Sequence, residues 1–157
     1  MKILVIAGAH SGAGKTTLIE KLLKVFKGWA CLKVTVLHSG LCPTGRNCGA
    51  CAGVDDSFCI ISDKKIIEEE GKDTFRFKKA GAKKVLWLKA KPEGLKAGLR
   101  KALLLFKGAP GLIIEGTSVL KYLKPDAAIL VRRKGSALKP SARQVLKKVD
   151  LVFNSYA

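Results

Sequence analysis

The sequence has few acidic residues to balance its basic ones, few aromatic residues and no long apolar run. Twelve aspartates and glutamates stand against 30 lysines and arginines, which gives a formal net charge of +18, and aromatic residues make up 6% of the chain. No stretch approaches the roughly 20 apolar residues that cross a bilayer. The apolar start MKILVIAG is too short for the hydrophobic region of a signal peptide and leads into a glycine-rich motif. We therefore expect a soluble, cytoplasmic protein without a membrane segment.

The excess of lysine raises the question of nucleic-acid binding, because basic side chains neutralise phosphates. The lysines are spread singly or in pairs over predicted helices, as in Lys21, Lys24 and Lys27. They are not interleaved with a set of aromatic residues that could stack on bases. We therefore interpret the charge as a solvated, lysine-rich surface. A basic nucleic-acid-binding protein is the least favoured of our functional hypotheses.

Short apolar runs alternate with amphipathic stretches along the chain. Strands are predicted over residues 2–7, 31–37, 85–88, 111–116, 127–132 and 150–154. Helices are predicted over residues 16–26, from 73 or 74 to 81, 93–107 and 140–148, whereas residues 60–70 are ambiguous. Strands that are apolar on both faces are typical of a parallel sheet covered by helices. Since no linker or repeat divides the chain, we predict a single three-layer α/β domain over residues 1–157 with a mostly parallel sheet.

A glycine-rich stretch, AHSGAGKTT at residues 9–17, connects the first predicted strand to the first predicted helix. This context is typical of the phosphate-binding P-loop. Gly12 and Gly14 allow consecutive backbone N–H groups to point at phosphate oxygens, and the helix start adds positive charge. Ala9 stands where the usual motif has its first glycine. Alanine fits this position if its φ is negative.

The three residues after the loop predict how a triphosphate would be held. Lys15 is expected to bind the β- and γ-phosphates, Thr16 to bind Mg²⁺ and Thr17 to reach the α-phosphate. The predicted nucleotide-binding residues of this stretch are His10, Ser11, Gly12, Ala13, Gly14, Lys15, Thr16 and Thr17. The sequence therefore predicts binding of GTP or ATP together with Mg²⁺.

Two polar residues at the ends of later predicted strands complete the predicted site. Glu115 ends the apolar run LIIE and is the only acid between Glu93 and Asp126. An acid at this position holds Mg²⁺ through water or polarises a nucleophile, so Glu115 is predicted to act in catalysis and in Mg²⁺ binding. Asn154 ends the last predicted strand, at the sheet edge where open α/β folds bind ligands. It is predicted to contact the base, with a plain turn asparagine as the alternative, and no N-K-x-D motif indicates guanine specificity.

The segments AHSGAGKTTL, GKDTFRFKKAGA, LIIEG and KPSA together resemble the molybdopterin-guanine dinucleotide biosynthesis protein B (MobB) family. The resemblance covers most of the chain and implies a P-loop NTPase fold. It also implies slow NTP hydrolysis or phosphoryl transfer in molybdenum-cofactor assembly, with a protein of that pathway as partner; the oligomeric state, monomer or homodimer, stays open. The resemblance further implies that Asp73 or Thr74 faces the phosphates or Mg²⁺. A more remote similarity to dethiobiotin synthetase supports a base contact by Asn154.

Four of the five cysteines are clustered, and the fifth, Cys31, is predicted to be a core residue. The clustered cysteines are Cys42, Cys48, Cys51 and Cys59. Four thiolates suit Zn²⁺ or an iron–sulfur cluster, although disulfides or simple buried cysteines remain alternatives. Residues 38–59 have no periodicity and are predicted to form a cysteine-rich excursion after the second strand, near the phosphate loop. They depart from the MobB-like pattern and favour a second hypothesis, an NTPase that hands on a metal ion.

Overall fold

A computed structural model describes residues 1–37 and 56–155. These residues contain seven strands: β1 (Lys2–Gly8), β2 (Ala30–Val36), β3 (Phe58–Ile61), β4 (Val85–Ala90), β5 (Gly111–Glu115), β6 (Ala127–Arg133) and β7 (Leu151–Ser155). The strands form one sheet in the order β3-β4-β2-β5-β1-β6-β7. Every neighbouring pair is parallel except β3 and β4, which are antiparallel. The predicted α/β fold with a mostly parallel sheet is confirmed.

Five helices connect the strands of the described chain. They are α1 (Lys15–Val25), α2 (Lys64–Ile67), α3 (Asp73–Lys79), α4 (Leu95–Leu104) and α5 (Pro140–Val145). Single 3₁₀ turns cover residues 92–94, 118–121 and 146–148. Helices α1, α2 and α3 pack on one face of the sheet, and α4 and α5 pack on the other. Neither the helices of residues 1–37 nor those of residues 56–155 combine the length and apolar character that crossing a membrane requires.

The core lies on both faces of the central strands because their side chains alternate. In β5, Leu112 and Ile114 contact the α4 side, whereas Ile113 contacts the α1 side, and all three are fully buried. Each such side chain contributes about 1.5–3 kcal/mol by leaving water. Cys31 is also fully buried, as predicted, and burial followed by the charge of Glu115 raises the pKa of its thiol well above the usual value. It is therefore a core residue with an unreactive thiol.

The helix boundaries differ from the sequence prediction where local signals overlap. The predicted helix over 93–107 begins with a 3₁₀ turn and is α-helical over Leu95–Leu104, and the one over 140–148 ends in a 3₁₀ turn after Val145. The prediction for α3 is confirmed, since this helix begins at Asp73 and is followed by Gly81 with a φ of 105°. That backbone conformation is one that glycine adopts without strain.

Strand β3 was not predicted, and it corrects the boundary of the cysteine-rich excursion. Cys59 lies inside this strand, so the aperiodic segment ends before residue 58 rather than at residue 59. On β4, Ala90 is opposite Val36 of β2 on one side and opposite Phe58 of β3 on the other. The end of β2 and the start of β3 therefore lie on the two sides of β4, at the same residue, Ala90.

Candidate functional site

The glycine loop, residues 9–14, follows the central strand β1 and leads directly into α1. Gly12 and Gly14 have φ values of 73° and 95°, in the left-handed region that favours glycine, and Gly14 caps the start of α1. Ala9 is fully buried and its N–H donates to the carbonyl of Val131 at 2.8 Å. Among the described residues only glycines have positive φ values, so Ala9 needs no glycine-specific backbone. Alanine at this position therefore does not strain the backbone.

The exposed loop residue Ser11 lies next to a half-buried histidine. The Nδ1 atom of His10 is 2.8 Å from the carbonyl oxygen of Ser11, and its Nε2 atom is buried without a hydrogen-bond partner in the described chain. The ring is therefore packed on the loop. The side chain of Ala13 is buried, while the backbone of the loop faces outward at Gly12.

Lys15 folds back over the end of β1 toward an acidic residue. A Cβ atom placed on Gly8 would lie 2.8 Å from Cδ and 3.1 Å from Nζ of Lys15, so the lysine occupies space that only a glycine leaves free. The Nζ atom lies 3.4 Å from Oε1 of Glu115 at the end of β5, with side-chain exposures of 17% and 8%. The other oxygen of Glu115 is buried without a partner in the described chain. A buried carboxylate oxygen that lacks a donor is costly, and it fits a site that a cation or water completes.

Thr16, the next residue, contacts a second carboxylate. Its hydroxyl donates to Oδ1 of Asp73 at 2.9 Å, and Nζ of Lys33 donates to Oδ2 of the same carboxylate at 2.6 Å. Burial alone would raise the pKa of Asp73, but the hydrogen bonds and charges of Lys33, Thr16 and Lys15 outweigh it and hold this pKa below its usual value. Asp73 is therefore ionised at neutral pH.

The oxygen atoms of Thr16, Asp73 and Glu115 are hard donors of the kind that Mg²⁺ prefers. The residues present therefore fit a Mg²⁺ site beside the start of α1. Of the two candidates in α3, Asp73 is the one that reaches Thr16. The hydroxyl of Thr74 is instead buried without a partner in the part of the chain that the structure describes.

An ion pair fixes α3 against α1. Arg76 donates from its Nε and from a terminal nitrogen to the two carboxylate oxygens of Glu20, at 2.9 and 2.7 Å. The same terminal nitrogen lies 3.5 Å from the hydroxyl of Thr17. Bidentate arginine–carboxylate pairs restrict orientation as well as distance. This pair therefore helps to hold Asp73, which lies one turn before Arg76, next to Thr16.

Three residues that support the site were not predicted from the sequence. Lys33 lies between Leu32 and Val34 in β2, and a lysine between apolar residues of a strand could have been recognised in the sequence. It is opposite Glu115 in the pairing of β2 with β5. The hydroxyl of Thr117 accepts from the N–H of Gly8 at 3.0 Å and donates to its carbonyl at 3.2 Å, which fixes the end of β1. The N–H of Lys139 donates to the carbonyl of Ala9 at 2.8 Å.

A groove of about 470 Å³ adjoins the glycine loop. Its lining includes Gly12, Gly14, Thr17 and Leu18 on one side, with Arg133, Phe153 and Ser155 on the other. The hydroxyl of Ser155 donates to the carbonyl of Ala13 at 2.8 Å, so β7 is tied to the loop. This groove is of the size that small ligands occupy.

Asn154 lies at the end of β7, but it is not one of the groove-lining residues. Its side-chain oxygen accepts a hydrogen bond from Nε of Arg132 at 2.9 Å. Alternation along β7 places the side chain of Asn154 on the opposite face from Phe153 and Ser155. The structure thus brings Phe153, rather than Asn154, to the groove.

Most of the predicted cysteine site, namely Cys42, Cys48 and Cys51 together with the preceding His38, lies outside the described residues. Cys59 is a half-buried free thiol in β3, opposite Lys89 of β4. Within residues 1–37 and 56–155, no group of three histidines, cysteines or acids is placed to hold a metal ion. The zinc or iron–sulfur prediction stays a prediction.

Comparison with known proteins gives no assignment for this site. No family model matches the chain, and no curated protein matches it.

Proposed function

We propose that this protein is a Mg²⁺-dependent P-loop protein that binds ATP or GTP and slowly hydrolyses it or transfers its terminal phosphoryl group. One observation carries the proposal. Consecutive residues at the start of α1, Lys15 and Thr16, each contact a carboxylate from a different element, Glu115 of β5 and Asp73 of α3. A lysine, a hydroxyl and two carboxylates beside a glycine loop are the groups that Mg²⁺–triphosphate recognition needs.

Each residue has a definite task in this proposal. The N–H groups of the glycine loop donate to phosphate oxygens, and the ammonium group of Lys15 leaves Glu115 to contact the terminal phosphates. This movement frees Glu115 to orient the water that attacks the terminal phosphorus. In hydrolysis that water forms the new P–O bond while the bond to the leaving diphosphate oxygen breaks. Thr16 and Asp73 would hold Mg²⁺, which when bound neutralises charge on the phosphates.

The nucleoside would lie in the groove beside the loop. The ring of Phe153, which is 40% exposed, offers a face on which a base can stack. Arg133 and Lys21 carry positive charge at the same groove. The contact of Asn154 with a base remains our sequence-based expectation and is tested below against Phe153.

The proposal is tested by measuring the affinity of Mg²⁺–ATP and Mg²⁺–GTP for the wild type and for Lys15→Met. We expect the affinity to fall about ten- to hundredfold, because the charge-assisted hydrogen bonds of one lysine are worth roughly 1.5–3 kcal/mol. Lys24→Met is the matched control, since Lys24 is an exposed lysine in the last turn of the same helix. Equal affinities of wild type and Lys15→Met would refute nucleotide binding by the glycine loop.

We further propose a role in molybdenum-cofactor assembly, as the resemblance to the MobB family suggests. The contact between Asp73 and Thr16 supports it, because the resemblance implied that Asp73 or Thr74 faces the phosphates or Mg²⁺. The expected partner is a protein of molybdenum-cofactor biosynthesis. Nucleotide-dependent association with such a protein, measured by calorimetry with wild type and with Lys15→Met, tests the role. Association that is unchanged by Lys15→Met would separate it from the nucleotide site.

The cysteine spacing favours a second proposal, an NTPase that handles a metal ion. Metal and sulfide analysis of protein purified without oxygen, beside a Cys48→Ser/Cys51→Ser variant, tests it. About one equivalent of zinc that is absent from the variant would indicate a zinc site, and iron with acid-labile sulfide would indicate a cluster. A fixed, chelator-resistant metal argues against delivery. Metal whose affinity changes with bound nucleotide supports it.

A further inference from the structure

We propose that Lys139 is a second phosphate-binding cation of the site and that its ammonium group binds the same phosphate chain as Lys15. This inference rests on the proposed nucleotide-binding function. It adds a residue from the loop between β6 and α5, which the glycine motif does not include.

The backbone of Lys139 is fixed to the glycine loop. Its N–H donates to the carbonyl of Ala9, and the N–H of Ala9 donates to the carbonyl of Val131, both at 2.8 Å. Lys139 has φ −64° and ψ 156°, the extended conformation that the following Pro140 enforces. The start of the Lys139 side chain therefore has a defined position beside the first residue of the loop.

The side chain of Lys139 carries a positive charge that has no direct counter-ion among the described residues. The residue is half-buried, and its ammonium group has no hydrogen bond or ion pair among the described residues. The nearby charges are those of Lys15 and Glu115. Glu115, at the end of β5, already lies 3.4 Å from Lys15, so a single carboxylate is the nearby negative charge for two lysines.

The energetics of Lys139 agree with this geometry. Burial, and after it the charge of Lys15, lowers the pKa of Lys139, and Glu115 offsets only part of the effect. A partly buried cation without a counter-ion destabilises the folded protein. Such a residue is explained when a ligand supplies the missing negative charge.

A polyphosphate is the anion that suits the position. One carboxylate, Glu115, cannot compensate both Lys15 and Lys139, whereas a triphosphate chain carries several negative charges. Inorganic tripolyphosphate presents these charges without a nucleoside. It therefore probes the lysines separately from the groove beside Phe153.

The experiment measures the affinities of Mg²⁺–ATP and of tripolyphosphate for the wild type, Lys139→Met, Lys139→Arg and Lys15→Met. Lys124→Met is the charge-matched control, because Lys124 is exposed and lies just before β6, at the opposite edge of the sheet. We expect the affinity of Lys139→Met for both ligands to be about tenfold or more weaker, because one charge-assisted hydrogen bond is lost. Lys139→Arg should keep at least part of this affinity, and Lys124→Met should bind like the wild type.

Thermal unfolding without ligand separates a binding role from a structural one. Removing a partly buried, uncompensated cation should leave the melting temperature of Lys139→Met unchanged or raise it, whereas loss of a structural residue would lower it. Unchanged affinities in Lys139→Met, with Lys15→Met impaired, would overturn the role of Lys139 while leaving the proposed function intact. A wild type that binds neither ligand would instead overturn the proposed function itself.

Discussion

The substitution Gly8→Ala should weaken phosphate binding without unfolding the protein. The added Cβ atom would lie 2.8 Å from Cδ of Lys15, whereas carbon atoms in favourable contact are about 3.5–4.0 Å apart. Roughly 1 Å of movement is needed, and the flexible end of Lys15 can supply it more easily than the backbone. Lys15 would then point away from both Glu115 and the phosphates. Loss of its charge-assisted hydrogen bonds, about 1.5–3 kcal/mol, corresponds to a ten- to hundredfold weaker affinity for Mg²⁺–ATP.

The free energy of unfolding of Gly8→Ala should change little. Glycine in a strand is about 0.5–1 kcal/mol less favourable than alanine, and this gain offsets part of the cost of moving the lysine. Titration calorimetry gives the affinity, and urea denaturation gives the free energy of unfolding. The reasoning fails if Gly8→Ala binds Mg²⁺–ATP as tightly as the wild type. It also fails if the free energy of unfolding falls by as much as the free energy of binding.

Gly111→Ala is a complementary control, because it should lower stability rather than nucleotide affinity. Gly111 is the first residue of β5, which pairs with β1. A Cβ atom on Gly111 would overlap the indole ring of Trp29, which stacks on Phe26 with ring centroids 4.5 Å apart. This ring is held by its neighbours, so overpacking should reduce stability by about 1–3 kcal/mol. Because Gly111 begins β5 and Glu115 ends it, the folded fraction should keep its affinity for nucleotide.

Three further predictions concern individual side chains of the site. Glu115→Gln should bind Mg²⁺–ATP with an affinity within a fewfold of the wild type. In a phosphate-release assay it should hydrolyse ATP at least tenfold more slowly, because it has lost the group that orients the attacking water. An unchanged rate would exclude Glu115 from catalysis. Phe153→Ala should weaken the affinity for ATP but not for tripolyphosphate. Asn154→Ala should change neither affinity if its amide contacts only Arg132. A weaker affinity of Asn154→Ala for only one of ATP and GTP would instead support a contact of Asn154 with the base. Because the pKa of Asp73 is lowered in the folded state, its charged form stabilises the fold above the unfolded pKa near 3.8, and this contribution is lost as the pH falls through the folded pKa. In urea denaturation, the difference in free energy of unfolding between wild type and Asp73→Asn should therefore shrink in acid. A difference that does not depend on pH would refute the linkage.

Six of the seven described strands and the position of the glycine loop were predictable because their signals are local. The run LIIE of β5 is apolar on both faces, which only a doubly covered strand tolerates. Asp73 and Gly81 mark the two ends of α3 within one short stretch. The glycine loop is likewise contiguous in sequence, so its role could be predicted without knowing which strands are neighbours.

What the sequence left open depends on contacts between distant segments. The sequence does not show that Lys33 contacts Asp73 or that Lys139, the first residue of KPSA, contacts the glycine loop, because only the fold brings these segments together. Strand β3 has four residues and pairs antiparallel with β4, a pairing that no local pattern specifies. The predicted end of the last strand, Asn154, is one residue early, since β7 ends at Ser155. The face that the Asn154 side chain occupies depends on the pairing of β7 with β6.

The pairing around Ala90 holds the end of β2 and the start of β3 on the two sides of β4. The N–H of Leu37 donates to the carbonyl of Ala90, and the N–H of Lys91 donates to the carbonyl of Ser57, both at 2.8 Å. Since neighbouring strands lie about 4.8 Å apart, the two attachment points are separated by roughly two strand spacings, about 10 Å. A linker of about four residues can bridge that distance. A variant in which such a linker replaces residues 38–55 should therefore keep the order of the described strands, β3-β4-β2-β5-β1-β6-β7.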